Sequence, residues 1–131
     1  MADVKYIYFY YAKTDKRLLY VGQTNNIIGR YKQHKYEDAR YKLVKKILFF
    51  PLPETYNKEQ VDVVESLFIE RMKPLWNRTR MKYFTLGMDT AETIFTIFEA
   101  VMNENGWKNF IDNTCQELRV EKDGFLWVSK E

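Results

Sequence analysis

The chain has a single cysteine, Cys115, and only three prolines and five glycines in 131 residues. One cysteine excludes an intrachain disulfide and argues against a zinc site built from thiolates. With so little proline and glycine there is no flexible linker to separate two domains, and neither an internal repeat nor a low-complexity tract is present. No apolar run approaches the roughly 18 residues of a membrane-spanning helix, and the first residues lack the layout of a secretory signal. The expectation is a soluble, intracellular, cytoplasmic protein with no membrane partner. A chain of this length suits one domain with a real core.

What is plentiful is aromatic and basic. Ten tyrosines and nine phenylalanines raise the aromatic share to 17%. The net charge is only +3, but residues 1–88 carry 17 Lys/Arg against 9 Asp/Glu, whereas residues 89–131 carry 4 against 9. Arg30–Lys46 holds seven cations against two acids, and Arg71–Lys82 holds five against none. Cations interleaved with tyrosine and tryptophan suit a phosphate backbone with bases or sugars packed beside it. Lys32, Lys35, Arg40, Lys73, Arg78 and Arg80 are the candidates for such contacts. The plainer alternative is a solvated basic face.

"VKYIYFYYA" from Val4 reads as a strand, "KTDKR" as its turn and "LLYVGQ" as the returning strand of a hairpin. With a loop at Thr14–Lys16, Tyr8 faces Gly22 and Tyr10 faces Tyr20, so Tyr8 and Tyr20 share one face of the sheet. Thr24, Asn25 and Asn26 are cap candidates for a helix from about Ile27, which places Arg30 and His34 on one helical face. Gly29 weakens that helix. A further helical piece is expected over Ala39–Lys45, then a third strand, "KILFFPL". Asn57 and Gln60 have the spacing of a capping box for a helix over Lys58–Met72, with an apolar stripe of Val61, Val64, Leu67, Phe68 and Met72. Glu65 projects from the rim of that stripe, where a carboxylate needs a cation, a metal ion or donors. Glu59, Asp62 and Glu70 read as solvated acids. Asp89 caps a helix of about fifteen residues, and "ELRVEKDGFLWVS" reads as a hairpin turning at Asp123–Gly124.

Hydrolysis of a phosphodiester needs an aligned and deprotonated water, stabilised charge on phosphorus and a neutralised leaving oxygen. Arginine forks phosphate oxygens, a carboxylate holds a hard cation, and tyrosine or histidine positions the water or takes its proton. Tyr8, Tyr20, Arg30, His34 and Glu65 supply that set of side chains.

The order of these residues resembles the GIY-YIG nuclease family. "YIY" at Tyr6–Tyr8, "YVG" at Tyr20–Gly22, Thr24, the Arg30–His34 step, Glu65 and the "KPLWN" run ending at Asn77 follow its ordered motifs. Tyr6 stands where the first motif has glycine, and Val21 where the second has isoleucine. The resemblance covers about residues 4–80. It implies an α/β (α+β) fold, a small three-stranded antiparallel sheet flanked by helices, and metal-dependent endonuclease cleavage of DNA. By position, Tyr8 would align or deprotonate the water, Tyr20 would support water or phosphate, Arg30 would stabilise the pentavalent phosphate and His34 would assist proton transfer. Glu65 would be the sole protein ligand of one Mg²⁺ or Mn²⁺ per active site, with Gly22, Thr24 and Asn77 in support. A free tyrosine has a pKa of about 10, so as a base Tyr8 calls on nearby positive charge from Arg30, the metal, Lys32 or Lys35.

The expected organisation is a nuclease core over residues 1–82 and an acidic C-terminal extension over 83–131, a helix and β-hairpin packed on the core in one compact domain. The partner is DNA. A homodimer would allow both strands to be cut, and the acidic segment could take a protein partner. The compact form suits a stand-alone enzyme of phage or mobile-element type. The alternative reading keeps the fold as a weakly active or inactive module that binds DNA or protein.

Overall fold

A computed structural model describes residues 4–12, 17–77 and 113–128. Its strands are β1 (Tyr6–Ala12), β2 (Leu18–Thr24), β3 (Val44–Pro51), β4 (Gln116–Glu121) and β5 (Gly124–Val128). Its α-helices are α1 (Ile27–Glu37) and α2 (Lys58–Met72), and a 3-10 turn over Ala39–Leu43 leads into β3. The strands form one antiparallel sheet in the order β2-β1-β3-β4-β5. The fold is α+β as expected, but the sheet has five strands rather than three. The C-terminal hairpin turning at Asp123–Gly124 does form, and β4 pairs with the outer edge of β3 from Lys46↔Arg119 to Phe49↔Gln116. The expected helix from Asp89, the first hairpin's loop, and Arg78 and Arg80 lie outside the described residues.

β1 lies inside the sheet and is buried on both faces, which is why its sequence is almost uniformly aromatic and apolar instead of alternating. Ile7, Phe9, Tyr11, Val21, Leu48 and Phe50 pack beneath Val61, Val64, Leu67 and Phe68 of α2. Val63 and Ile69 are buried too, so α2 is enclosed beyond its expected stripe. On the opposite face Tyr8, Tyr10, Ile47, Phe49 and Leu118 pack against Ile27 and Tyr31 of α1 and Tyr41 of the 3-10 turn.

The hairpin register pairs Tyr8 with Gly22 and Tyr10 with Tyr20, the pairing expected, but a bulge nearer the turn and not the loop alone sets it. One step further it shifts, and Tyr11 pairs with Leu18, leaving Leu19 as an extra residue. The bulge reverses the alternation there: Leu18 packs on the α2 side, whereas Leu19 and Tyr20 both face α1.

Asn26 caps α1, accepting from the Gly29 N–H at 3.0 Å. A Cβ on Gly29 would stand 2.6 Å from Asn26 Nδ2, so the glycine that weakens the helix interior makes room for its cap. The expected helical piece over Ala39–Lys45 is a shorter 3-10 turn, because Val44 already enters β3. Asp38 caps that turn through the Arg40 N–H. α2 has its full capping box between Asn57 and Gln60 and ends at Lys73, in the left-handed conformation (φ 48°) just before Pro74. Among the described residues no helix is long and apolar enough to cross a membrane.

Candidate active site

The alternation of β1 and the bulge of β2 bring Tyr8, Tyr10 and Tyr20 to one face beneath α1. Tyr8 and Tyr20 have ring centroids 6.1 Å apart, and Tyr8 and Tyr10 4.7 Å apart. His34, from the inner side of α1, reaches down to them: its Nε2 lies 2.8 Å from Tyr8 Oη. The ring of His34 stacks on Tyr41 at 4.4 Å and meets Tyr20 edge-on at 5.2 Å. The expectation that Arg30 and His34 share a helical face holds at the site, where both act on the Tyr8 hydroxyl.

Burial, followed by the Arg30 charge, lowers the His34 pKa from 6.5 to about 4, with Glu37 and Asp38 opposing. The imidazole is therefore neutral at pH 7. With its proton on Nδ1, Nε2 accepts from the Tyr8 O–H. Tyr8 itself is driven well above the ordinary tyrosine range, by burial first and then by Tyr20. Arg30, through its charge and a hydrogen bond, pulls the other way, and Glu65 adds to the rise. Tyr20 is raised by burial and then by Glu65, again with Arg30 opposing. The expected lowering of Tyr8 by neighbouring cations is thus outweighed by desolvation, which penalises a buried tyrosinate. Lys32 and Lys35 do not help: both are exposed, and they border a cleft with Val120–Phe125 of the β4–β5 hairpin.

Arg30 is half-buried and its Nη1 donates to Gln33 Oε1 at 2.8 Å. Glu65 comes from α2, on the other face of the sheet, yet its charge reaches both Tyr8 and Tyr20. α2 is moored to β2 by the Gln23 Nε2–Asp62 Oδ1 hydrogen bond of 2.7 Å, with Lys58 ion-paired to the same carboxylate at 3.7 Å. Asp62 is therefore a structural acid and not the solvated one its position suggested. Tyr8, Tyr20, Arg30, His34 and Glu65, drawn from four elements, act on one locus.

Gly22 lies directly beneath Tyr8. A Cβ there would stand 2.9 Å from Tyr8 Cε2 and closer still to Cζ and Oη, so only glycine lets the ring lie across β2. Thr24 is buried and its Oγ1 accepts from the Asn26 N–H at 3.0 Å, which fixes the step from β2 into α1. Asn77 brackets Val21: its Oδ1 accepts from the Val21 N–H at 2.7 Å and its Nδ2 donates to the Val21 carbonyl at 2.9 Å. With the Trp76 N–H donating to the Leu19 carbonyl at 2.8 Å, this segment covers the outer edge of β2.

The basic candidates are not equivalent. Arg40 is held by Asp38 through Nε and Nη2, both at 2.9 Å, and lies over the Trp76 ring at 5.0 Å. Lys35 Nζ lies 5.5 Å from the Tyr31 ring centroid, and Lys73 is exposed. Sequence reasoning missed Tyr10, Tyr31, Tyr41 and Trp76, which complete the aromatic walls. For Tyr10 a signal was present, because the alternation that places Tyr8 also places Tyr10.

Among the described residues no three His, Cys, Asp or Glu side chains gather as a metal cluster. One half-buried carboxylate, Glu65, fits a hard cation that keeps most of its water and borrows phosphate oxygens, the habit of Mg²⁺.

A family model described as the GIY-YIG catalytic domain matches residues 4–109. Comparison with curated proteins gives no match, and comparison with solved structures gives none. The family match spans most of the chain and takes in β1, β2, α1, β3 and α2, the elements that carry the site. The chain therefore belongs to the GIY-YIG family, and its domain is of a nuclease type that acts on DNA.

Proposed function

We propose that this protein is a metal-dependent endonuclease that hydrolyses DNA phosphodiester bonds at a single one-metal centre. The observation that carries the reading is the Tyr8 hydroxyl bonded to a neutral His34, with Arg30 and Glu65 both acting on that hydroxyl. A tyrosine with so high a pKa is a poor base while it keeps its proton. Paired with His34 it can work as a relay: Tyr8 Oη accepts a proton from the attacking water as its own proton passes to His34 Nε2. The water's electron pair forms the new bond to phosphorus, and the bond from phosphorus to the leaving oxygen breaks with its electron pair going to that oxygen. The negative charge of the DNA phosphate offsets the Arg30 charge, which after burial is the second cause holding His34 unprotonated, so His34 becomes a better proton acceptor when substrate enters.

Arg30 forks the non-bridging phosphate oxygens and neutralises the charge that builds on them. Tyr20 offers its hydroxyl to the water or the phosphate beside Tyr8. Glu65 would hold one Mg²⁺ or Mn²⁺, which when bound neutralises the leaving oxygen. Lys32, Lys35 and Lys73 are exposed and would follow a DNA backbone across the surface, with Arg78 and Arg80 continuing that run in the sequence. Residues 1–82 are assigned the chemistry. The acidic 83–131 segment is assigned a surface for a protein partner or a second copy.

The test is supercoiled plasmid incubated with Mg²⁺ or Mn²⁺, using wild type and Glu65→Ala. Metal-dependent nicking or linearisation that vanishes in the variant is the expected result. Intact plasmid with wild type across metals and pH would replace this reading with a DNA- or protein-binding module on the same fold.

A further inference from the structure

Tyr10 lies at the hub of the aromatic site without any part in the chemistry described so far. It is 1% exposed and meets Tyr20, Tyr31, His34 and Tyr41 at ring-centroid distances between 5.6 and 6.0 Å. Its hydroxyl oxygen is the one buried side-chain polar atom among the described residues that lacks a hydrogen-bond partner. Such an atom is destabilising, and phenylalanine would fill the same space without that cost. Tyr8 and Tyr10 stand two residues apart on the same face of β1, with rings tilted by only 35° at 4.7 Å, so their hydroxyl ends project side by side. The Tyr8 proton is engaged with His34 and Arg30 donates to one lone pair of Tyr8 Oη, which leaves the second able to accept; the water takes the place of Arg30 once that guanidinium turns to the phosphate.

We propose that Tyr10 is a positioning residue whose unspent O–H donates to Tyr8 Oη and holds that oxygen as it takes a proton from water and yields its own to His34. The inference rests on the nuclease reading for its consequence, but not for the contact itself. The relay passes through a moment when negative charge collects on Tyr8 Oη. A donor already aligned there stabilises that charge without reorganising, whereas in the resting state it gains little. Tyr10 would thus act on the rate of the chemical step and not on DNA affinity.

Tyr10→Phe keeps the ring and removes only the unpartnered hydroxyl, so the folded protein should survive intact. The expected kinetic result is a kcat for DNA cleavage lowered by about 10- to 100-fold at unchanged KM, with a Tm no lower than wild type. NMR of protein labelled at tyrosine Cζ provides a readout independent of activity. The Tyr8 signal, assigned by its loss in Tyr8→Phe, should move in Tyr10→Phe, while that of Tyr36, 93% exposed, should stay. An unmoved Tyr8 signal overturns the proposal. So does an unchanged kcat, a kcat lost together with Tm, or a loss carried by KM. If wild type cuts no DNA, the nuclease reading fails by itself, and the Tyr8 signal still decides whether the contact exists.

Discussion

At Gly22 the addition of one methyl group would push against the ring of Tyr8 from below. Because Tyr8 is fully buried between β2 and α1, it has no free direction in which to yield. Gly22→Ala is therefore expected to lower stability by about 1–3 kcal/mol, read as a lower urea midpoint, and to reduce plasmid nicking further by tilting Tyr8 away from His34. His34 yields a second prediction, simplified by its being the only histidine. Burial and Arg30 lower its pKa from 6.5 to about 4. Between those values the unfolded chain binds more protons than the folded one. The contribution to stability is thus complete above about pH 6.5 and is lost as pH falls toward 4. The proton NMR titration of the metal-free protein should show a single imidazole midpoint near 4, with Tm falling over the same range; a midpoint near 6.5 would contradict the buried geometry. The residue types and spacing at Tyr8, Tyr20, Arg30, His34 and Glu65 were legible in the sequence. Their electrostatics were not, since the shift of Tyr8 depends on how deeply a folded sheet and helix bury it, and spacing carries no information on depth.

Elements were legible where their signals are local. The Asn57–Gln60 box fixes the start of α2, and Pro74 follows its end. The bulge at Leu19 was not, because two residues facing one partner leave no mark on hydrophobic alternation until the partner strand is known. The edge of β2 is a similar case. Asn77 imitates one rung of a strand, its amide matching both backbone groups of Val21. Asn77→Ala removes both hydrogen bonds and leaves the Val21 N–H and carbonyl without that partner. The expected loss is about 1–3 kcal/mol in chemical denaturation, with faster hydrogen exchange at the Val21 amide. Exchange unchanged at that amide would mean that the segment does not guard the edge in solution.

For the molecule as a whole, the sheet is continuous from the β1–β2 hairpin to the C-terminal hairpin, joined where β3 meets β4. The sequence marked the C-terminal hairpin by its Asp–Gly turn, but nothing local says that its first strand pairs with one more than half the chain away; such pairing is a property of the collapsed chain alone. Leu118 of β4 is completely buried against the same core that supports Tyr8 and Tyr10. Leu118→Ala should therefore cost about 2–5 kcal/mol and lower the Tm of the entire domain in one transition, measured by circular dichroism. A separate early transition with the β1–β2 hairpin intact would show that the C-terminal hairpin folds independently. Cys115, just before β4, is buried in the other core, beneath α2. As the sole thiol in the chain it makes the protein its own clock: the rate at which a thiol reagent consumes it counts how often this end of the sheet opens, without any label having been introduced.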